Sequence, residues 1–192
     1  MESTHQSDHF VVKPEQKKFD TAEQVEQAWL ASSPNNSLDH LSKVTKITLG
    51  GNSYGFEACE WVAKTLASCE SLKAIDFSNI FVSRLRAELP KSLKIMAEAL
   101  LPRDLHEVDL SDNAFGPDGV RAFECLLTNG HALTVFKVTN CGLGPEGATM
   151  IAAAMSQNKH LKLTKFHAGR DRLENPGIKA LAQALQAQGS LQ

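Results

Sequence analysis

Apolar residues recur along the chain in a phrase of eleven positions. The first, fourth, sixth and eleventh positions are apolar, and the ninth is polar in most copies. Copies begin at Val44, Leu72, Leu105, Leu133 and Leu163, so successive starts lie 28, 33, 28 and 30 residues apart. A period of this length is typical of structural units that stack side by side. The chain is therefore predicted to be a repeat protein.

Each phrase indicates a strand, a turn and then a helix. Its fourth and sixth residues are two apart, so both side chains point to the same buried face of a strand. At position nine, Asn52 and Asn113 can satisfy backbone groups that the turn leaves open. Apolar residues at helical spacing follow, with Gly119, Gly147 and Gly177 at helix entries. We predict an α/β leucine-rich-repeat solenoid, ribonuclease-inhibitor-like, with parallel strands on its concave face and helices on its convex face.

Residues 1–43 do not follow the repeat and are expected to form a flexible N-terminus and a cap. The first dozen residues are polar and are expected to be mobile. A capping-box-like start at Asp20, with Glu23 three places on, predicts a helix that covers the first repeat. Residues 44–192 carry the repeats, and a new unit starts to open at Leu191. We expect a fragment truncated at its C-terminus, whose uncovered end favours a homodimer.

The second unit departs most from the repeat. It is the longest, it has no polar residue at position nine, and residues 79–86 are inserted in the turn after its strand. Arg84 and Arg86 lie in this insertion, on a loop predicted to border the concave face. Two interpretations remain open: solvated charges, paired or not with Glu88 or Asp76, or contacts to a partner.

A second candidate surface is the column of residues at position eight, where each strand ends. Because neighbouring strands lie about 4.8 Å apart, these side chains would form a ladder roughly 20 Å long. The column consists of Gly51, Asn79, Asp112, Asn140 and Arg170. Position five forms a second polar row beside it, from Thr48, Asp76, Asp109, Lys137 and His167. Such rows can be a solvated sheet face, but concave solenoid surfaces commonly bind partners, which favours binding here.

Composition narrows the classes of function. A formal net charge of −2 does not suggest a nucleic-acid binder, and no apolar run approaches the roughly 20 residues of a membrane span. The four cysteines form no CxxC pair, so we expect neither a metal site nor another cofactor. Phosphate-loop, dinucleotide, zinc-protease and serine-hydrolase motifs are lacking, which argues against a hydrolase.

Several turns resemble those of Ran GTPase-activating proteins. The matching segments are Phe77-Ser78-Asn79-Ile80-Phe81 with Arg84 and Glu88-Leu89-Pro90, Leu110 to Pro117, Asn140 to Pro145, Gly169 to Asn175, and Lys18 to Glu23. They occur in the family's order and span nearly the whole chain from about residue 10. A generic ribonuclease-inhibitor-like repeat would match the apolar frame but not these turns.

The resemblance implies a GTPase activator for GTP-bound Ran, without a hydrolytic site of its own, acting in nucleocytoplasmic transport. It implies that Arg84 engages Ran and that Asn140 helps hold Ran's catalytic glutamine, which orients the attacking water. Asn79, Arg86, Asp112 and Arg170 would add partner contacts on the same rim. The expected location is the cytoplasm or the nuclear periphery. The alternative is a non-catalytic leucine-rich-repeat scaffold of the ribonuclease-inhibitor type that binds another protein.

Overall fold

The protein is built on a parallel sheet of short strands. The computed structural model describes residues 8–192, in which the sheet has six strands of three residues. In spatial order they are β1 (His9–Val11), β3 (Lys46–Thr48), β5 (Ala74–Asp76), β6 (Glu107–Asp109), β7 (Val135–Lys137) and β8 (Lys165–His167), whereas β2 (Lys18–Phe19) and β4 (Ser53–Tyr54) pair in a second sheet. The central residue of β1, β3, β5, β6 and β7 is buried and its neighbours are more exposed, as the alternation of side chains along a strand requires.

Six helices pack side by side on the sheet, in sequence order. They are α1 (Ala22–Ser32), α2 (Phe56–Leu66), α3 (Leu89–Leu100), α4 (Gly116–Asn129), α5 (Gly144–Gln157) and α6 (Glu174–Gln188). Two 3-10 helices, Pro34–Asn36 and Asp39–Lys43, connect α1 to β3. One continuous apolar core lies between helices and sheet. The predicted α/β leucine-rich-repeat architecture is confirmed, because five strand–helix units follow one another in register.

The expectation of a mobile first dozen residues is wrong for residues 8–12. Strand β1 pairs in parallel with β3, and the Val12 N–H donates to the Thr48 carbonyl. Phe10 and Val12 are buried against the cap. The apolar stretch is too short to stand out in a polar segment, yet it satisfies the open edge of β3. Residues 1–7 lie outside the described residues.

The cap helix α1 begins one residue later than its sequence suggests. Thr21 is the N-cap, and Gln24, rather than Glu23, closes the capping box by accepting the backbone N–H of Thr21. This arrangement leaves the Asp20 side chain outside the box, where it pairs with Arg84. The buried Trp29 of α1 packs on Phe10 and on Trp61 of α2. 

Position nine has the structural role that was predicted for its asparagines. The buried Asn113 accepts the Ile80 N–H through Oδ1 at 2.9 Å. Its Nδ2 donates to the Phe77 carbonyl at 2.7 Å and to the Leu110 carbonyl at 2.9 Å. Asn52 does the same for the N-terminal segment, accepting the N–H groups of Glu15 and Lys17. Each amide therefore joins its own turn to the preceding segment of the stack.

We predict that Asn113→Ala lowers the free energy of unfolding by about 3 kcal/mol, because buried backbone groups lose their partners. Urea denaturation followed by circular dichroism measures this change. Asn129→Ala is the control, since Asn129 is an exposed amide at the end of α4. Equal losses in the two variants would contradict the role assigned to Asn113.

Candidate functional site

The column at position eight has a backbone that explains much of its composition. All five residues have positive φ, from 54° to 86°: Gly51, Asn79, Asp112, Asn140 and Arg170. Glycine and, among other residues, Asn and Asp adopt this left-handed conformation most readily. The polar types that suggested binding are therefore also the types that the turn selects. Arginine is not favoured in this conformation, so the turn does not explain why residue 170 is an arginine.

Asp112, Asn140 and Arg170 form an exposed cluster on three successive turns. Asn140 Nδ2 donates to Asp112 Oδ1 at 2.8 Å, and Arg170 Nη2 lies 3.6 Å from the same oxygen. The carboxylate fixes the orientation of the amide and leaves the Asn140 oxygen and one amide hydrogen for a partner. The cluster can thus donate and accept hydrogen bonds at one exposed point of the rim.

A buried carboxyl group lies beneath this cluster. Asp171, only 1% exposed, accepts the Cys141 N–H through Oδ1 at 2.6 Å. Among residues 8–192 no group bonds to its other oxygen, Oδ2, which is also buried. Burial raises the pKa of Asp171, although backbone N–H groups nearby oppose that rise. Asp171 is the position-nine residue of its unit, and it accepts N–H groups from the turn that carries Asn140.

Arg84 is placed differently from the expectation of a guanidinium projecting from the rim. Its side chain is only 10% exposed and pairs with Asp20, not with Glu88 or Asp76. Its Nη2 also donates to the carbonyls of Phe19 at 3.1 Å and Ser53 at 2.9 Å. The sequence could not reveal this pairing, because Asp20 lies 64 residues away.

The other predicted rim residues are exposed. Asn79 stands at the exit of β5, and its backbone N–H donates to the Ser111 carbonyl at 2.9 Å. The Arg86 guanidinium lies over Gly116, where a Cβ atom would come within 2.5 Å of Arg86 Nη2. The insertion therefore points its two arginines in different ways, Arg84 inward and Arg86 over the next turn.

The open face of the sheet carries charges that largely compensate one another. Lys137 Nζ donates to Glu107 Oε1 at 2.6 Å and lies 3.5 Å from Asp109 Oδ2. The hydrogen bond from Lys137 is the main reason why the pKa of Glu107 is lowered. Compensated charges give this face little long-range field, so we place the candidate site on the rim.

The described part of the chain holds no group of three or more His, Cys, Asp or Glu side chains that could bind a metal ion. None of the helices in residues 8–192 is long and apolar enough to cross a membrane. The chemistry that the rim does offer is hydrogen bonding by an oriented amide, flanked by a carboxylate and a guanidinium.

Comparison with known proteins identifies the repeat and a set of relatives. A family model described as "Leucine Rich repeat" matches residues 102–123 and 131–152. The chain is 37% identical to "Ran GTPase-activating protein 1" of Xenopus laevis over 187 residues, which is 91% of this chain and 31% of that protein. It is 36% identical to "Ran GTPase-activating protein 2" of Caenorhabditis elegans, covering 88% of this chain and 18% of the relative.

"Ran GTPase-activating protein" of Drosophila melanogaster is 35% identical over 171 residues, 81% of this chain and 29% of the relative. The chain therefore spans less than a third of the length of each of these three relatives. Within the chain, however, the similarity extends over the cap and the repeats together.

We predict that Asp171→Asn stabilises the protein by about 1 kcal/mol at neutral pH, through hydrogen bonds that the carboxylate cannot donate. In the register of Asn113, the new Nδ2 would face the carbonyls of Val138 and Ala168. Because the folded pKa is raised, wild-type stability is lost as pH rises from the unfolded pKa through the folded one. The advantage of the variant should grow over that range, measured by urea denaturation between pH 4 and pH 8.

Asp112→Asn is the matched control, since it removes the same charge from an exposed position. We expect it to change the free energy of unfolding by less than about 0.5 kcal/mol. A loss of stability in Asp171→Asn, or equal pH dependence in variant and wild type, would show that Asp171 is well accommodated as a carboxylate.

Proposed function

Because this chain is a leucine-rich-repeat relative of the Ran GTPase-activating proteins, we propose that it accelerates GTP hydrolysis by GTP-bound Ran in nucleocytoplasmic transport. The observation that supports this most is the similarity over 91% of the chain, which includes the rim. The oriented amide of Asn140 on that rim supplies the chemistry that the proposal needs. Ran is therefore the proposed partner, with neither nucleic acid nor membrane involved.

Hydrolysis of GTP is limited by the positioning of water and by charge stabilisation around the γ-phosphate. An activator can therefore work through the partner's own catalytic glutamine. In the proposed complex, the Asn140 amide holds that glutamine, since one amide can both accept from and donate to another. Asp112 keeps the Asn140 amide in position, and Arg170 is drawn to the same carboxylate oxygen.

The roles of the remaining rim residues follow from their exposure. Asn79, Arg86, Asp112 and Arg170 are exposed and are proposed to contact Ran around the central amide. Arg84 cannot contribute a free guanidinium in this conformation, because its side chain is engaged with Asp20, Phe19 and Ser53. We propose that its importance for engaging Ran is indirect, through the loop that carries it.

We also propose that the chain has no hydrolytic site of its own and acts in the cytoplasm or at the nuclear periphery. The last unit leaves Ile178 and Leu191 exposed, which is the basis for proposing a homodimer through that end. Sedimentation of the purified chain tests the dimer.

One experiment separates the proposed function from a non-catalytic scaffold and from a hydrolase. GTP hydrolysis is measured for Ran alone, for Ran with the chain, and for the chain alone. The proposal expects acceleration only in the mixture. Binding without acceleration would favour the scaffold, which the similarity to GTPase activators does not favour, and hydrolysis by the chain alone would show a site of its own.

We predict that Asn140→Ala lowers stimulated hydrolysis at saturating Ran by about 100-fold, because misplacing a catalytic group by about 1 Å has effects of that size. Binding of Ran loaded with a non-hydrolysable GTP analogue should weaken far less. Single-turnover kinetics and titration calorimetry measure the two quantities.

Asn140 has a φ of 59°, so alanine there adds backbone strain. Asn140→Gly removes the amide without that strain and should have the same kinetic defect. Asn129→Ala, on the exposed end of α4, should retain wild-type kinetics. Unchanged turnover in both Asn140 variants would remove this residue from the mechanism.

A further inference from the structure

The insertion in the second unit exposes two large apolar side chains beside the rim. Val82 is 49% exposed and Leu85 is 69% exposed, the largest exposed fraction of any large apolar residue among those described. Single exposed apolar residues are common on protein surfaces, but Val82 and Leu85 lie three residues apart on one inserted loop, and this pair is the apolar patch. The loop therefore presents apolar surface at a fixed place.

Hydrogen bonds within the loop and to Ser53 hold this loop in place. The Ser53 hydroxyl donates to the Val82 carbonyl at 2.6 Å, and Arg84 Nε donates to the Ser53 hydroxyl oxygen at 2.9 Å. The Glu88 N–H donates to the Leu85 carbonyl at 2.9 Å, which closes a turn before α3. Ser83 has a φ of 57°, a conformation that tertiary contacts must maintain.

Arg84 joins three segments of the chain through one planar group. Its donors reach the Phe19 carbonyl and Asp20 before α1, and Ser53 in β4 (Ser53–Tyr54). β4 pairs in parallel with β2 (Lys18–Phe19), so the guanidinium bonds to the ends of this small sheet. Gly55 leaves room for the guanidinium, because a Cβ atom at this position would lie 3.0 Å from Arg84 Nη1. Arg84 thus ties the loop to the cap.

The loop lies along the same edge as the proposed contacts. It begins directly after Asn79, whose backbone N–H is bonded to the turn that carries Asp112. A cavity of about 410 Å³ opens beside the patch, lined among others by Gly51, Asn79, Val82 and Ser83. Val82 of the apolar patch and Asn79 of the position-eight column therefore border the same cavity.

We propose that Val82 and Leu85 form an apolar docking site for the GTPase, and that Arg84 is the positioning residue that preorganises it. This inference rests on the proposed function and names a second part of the same interface. A preformed loop loses little conformational entropy when it binds, so its apolar area contributes to affinity. The rim amide acts on the reaction, whereas this patch holds the partner in place.

Position and chemistry favour the GTPase as the occupant. Asn79, which borders the same cavity as Val82, stands two turns from Asn140 in the position-eight column, roughly 10 Å at a strand spacing of about 4.8 Å. A protein that reaches Asn140 can therefore cover the patch in the same encounter. Lys18 borders the same cavity as Val82, and the exposed Arg86 follows Leu85 in the chain, so positive charge near the patch suits an apolar partner surface bordered by carboxylates. A second copy of this chain is the competing occupant, and the experiment separates the two.

The first measurement is the rate of stimulated hydrolysis against the concentration of GTP-bound Ran. Leu85→Ser and Val82→Ser should each raise KM about tenfold, the effect of losing one buried apolar side chain, with kcat within about twofold of wild type. Leu101→Ser, which removes a 40% exposed side chain directly after α3, is the matched control and should retain wild-type KM.

The second measurement separates positioning by Arg84 from direct contact. Arg84→Ala should raise KM as Leu85→Ser does. Because both changes act on one loop, the KM of the double variant should exceed the larger single-variant KM by no more than about twofold. Hydrogen exchange of residues 82–88 in the free protein should be about tenfold faster in Arg84→Ala and intermediate in Asp20→Asn, which keeps the arginine.

The outcomes are distinct. If wild type accelerates hydrolysis but Leu85→Ser has wild-type KM, the docking site is wrong and the proposed function stands. Fully multiplicative effects of Arg84→Ala and Leu85→Ser, with unchanged exchange, would overturn positioning by Arg84. If the wild-type chain is a dimer and Leu85→Ser dissociates it, the patch binds a second copy of this chain instead of the GTPase. Absence of acceleration by wild type refutes the proposed function itself.

Discussion

The structure depends on a left-handed backbone turn at the end of each strand of the repeats. In three units the N–H at position eight donates to the following unit: Asn79 to Ser111 at 2.9 Å, Asp112 to Thr139 at 2.8 Å, and Asn140 to Gly169 at 2.8 Å. The bond stacks the units, and the reversal of direction turns each position-eight side chain outward. Folding and presentation of the rim are therefore produced by the same turn. A change at this position that disturbs φ would alter both, which is why glycine variants are informative here.

Beneath that turn, position nine determines how firmly the rim is held. A neutral amide at Asn113 satisfies an N–H group and two carbonyls at once. Asp171 occupies the equivalent place under Asn140 and can satisfy the N–H groups, but as a carboxylate it cannot donate. The burial that raises the pKa of Asp171 is thus the consequence of a carboxyl group in an amide position. The turn that carries the proposed catalytic amide is the one with the less complete support.

The sequence predicts the features that depend on local pattern and leaves out those that depend on distant partners. Repeat frame, strand and helix order and the position-eight column all follow from spacing within one unit, and they are correct. The sequence does not predict strand β1, because three residues carry too little pattern, although pairing with β3 stabilises them. It does not predict the burial of Arg84 either, because the partner Asp20 belongs to the cap, which no repeat spacing relates to the second unit.

The engagement of Arg84 also constrains the proposed activation of a GTPase. Nε, Nη1 and Nη2 all donate within the chain, and the side chain is nine-tenths covered. Releasing such a group would remove a donor from Asp20 and from the Phe19 and Ser53 carbonyls, and it would loosen the loop that carries Leu85. An arginine that inserts into a nucleotide site must be free to move, and this one maintains the protein's own structure. Arg84 is therefore not the group that stabilises charge in the proposed reaction, whereas the neutral amide of Asn140 contributes orientation. A neutral group suits that task, because it enters a buried interface without the desolvation cost of a charge.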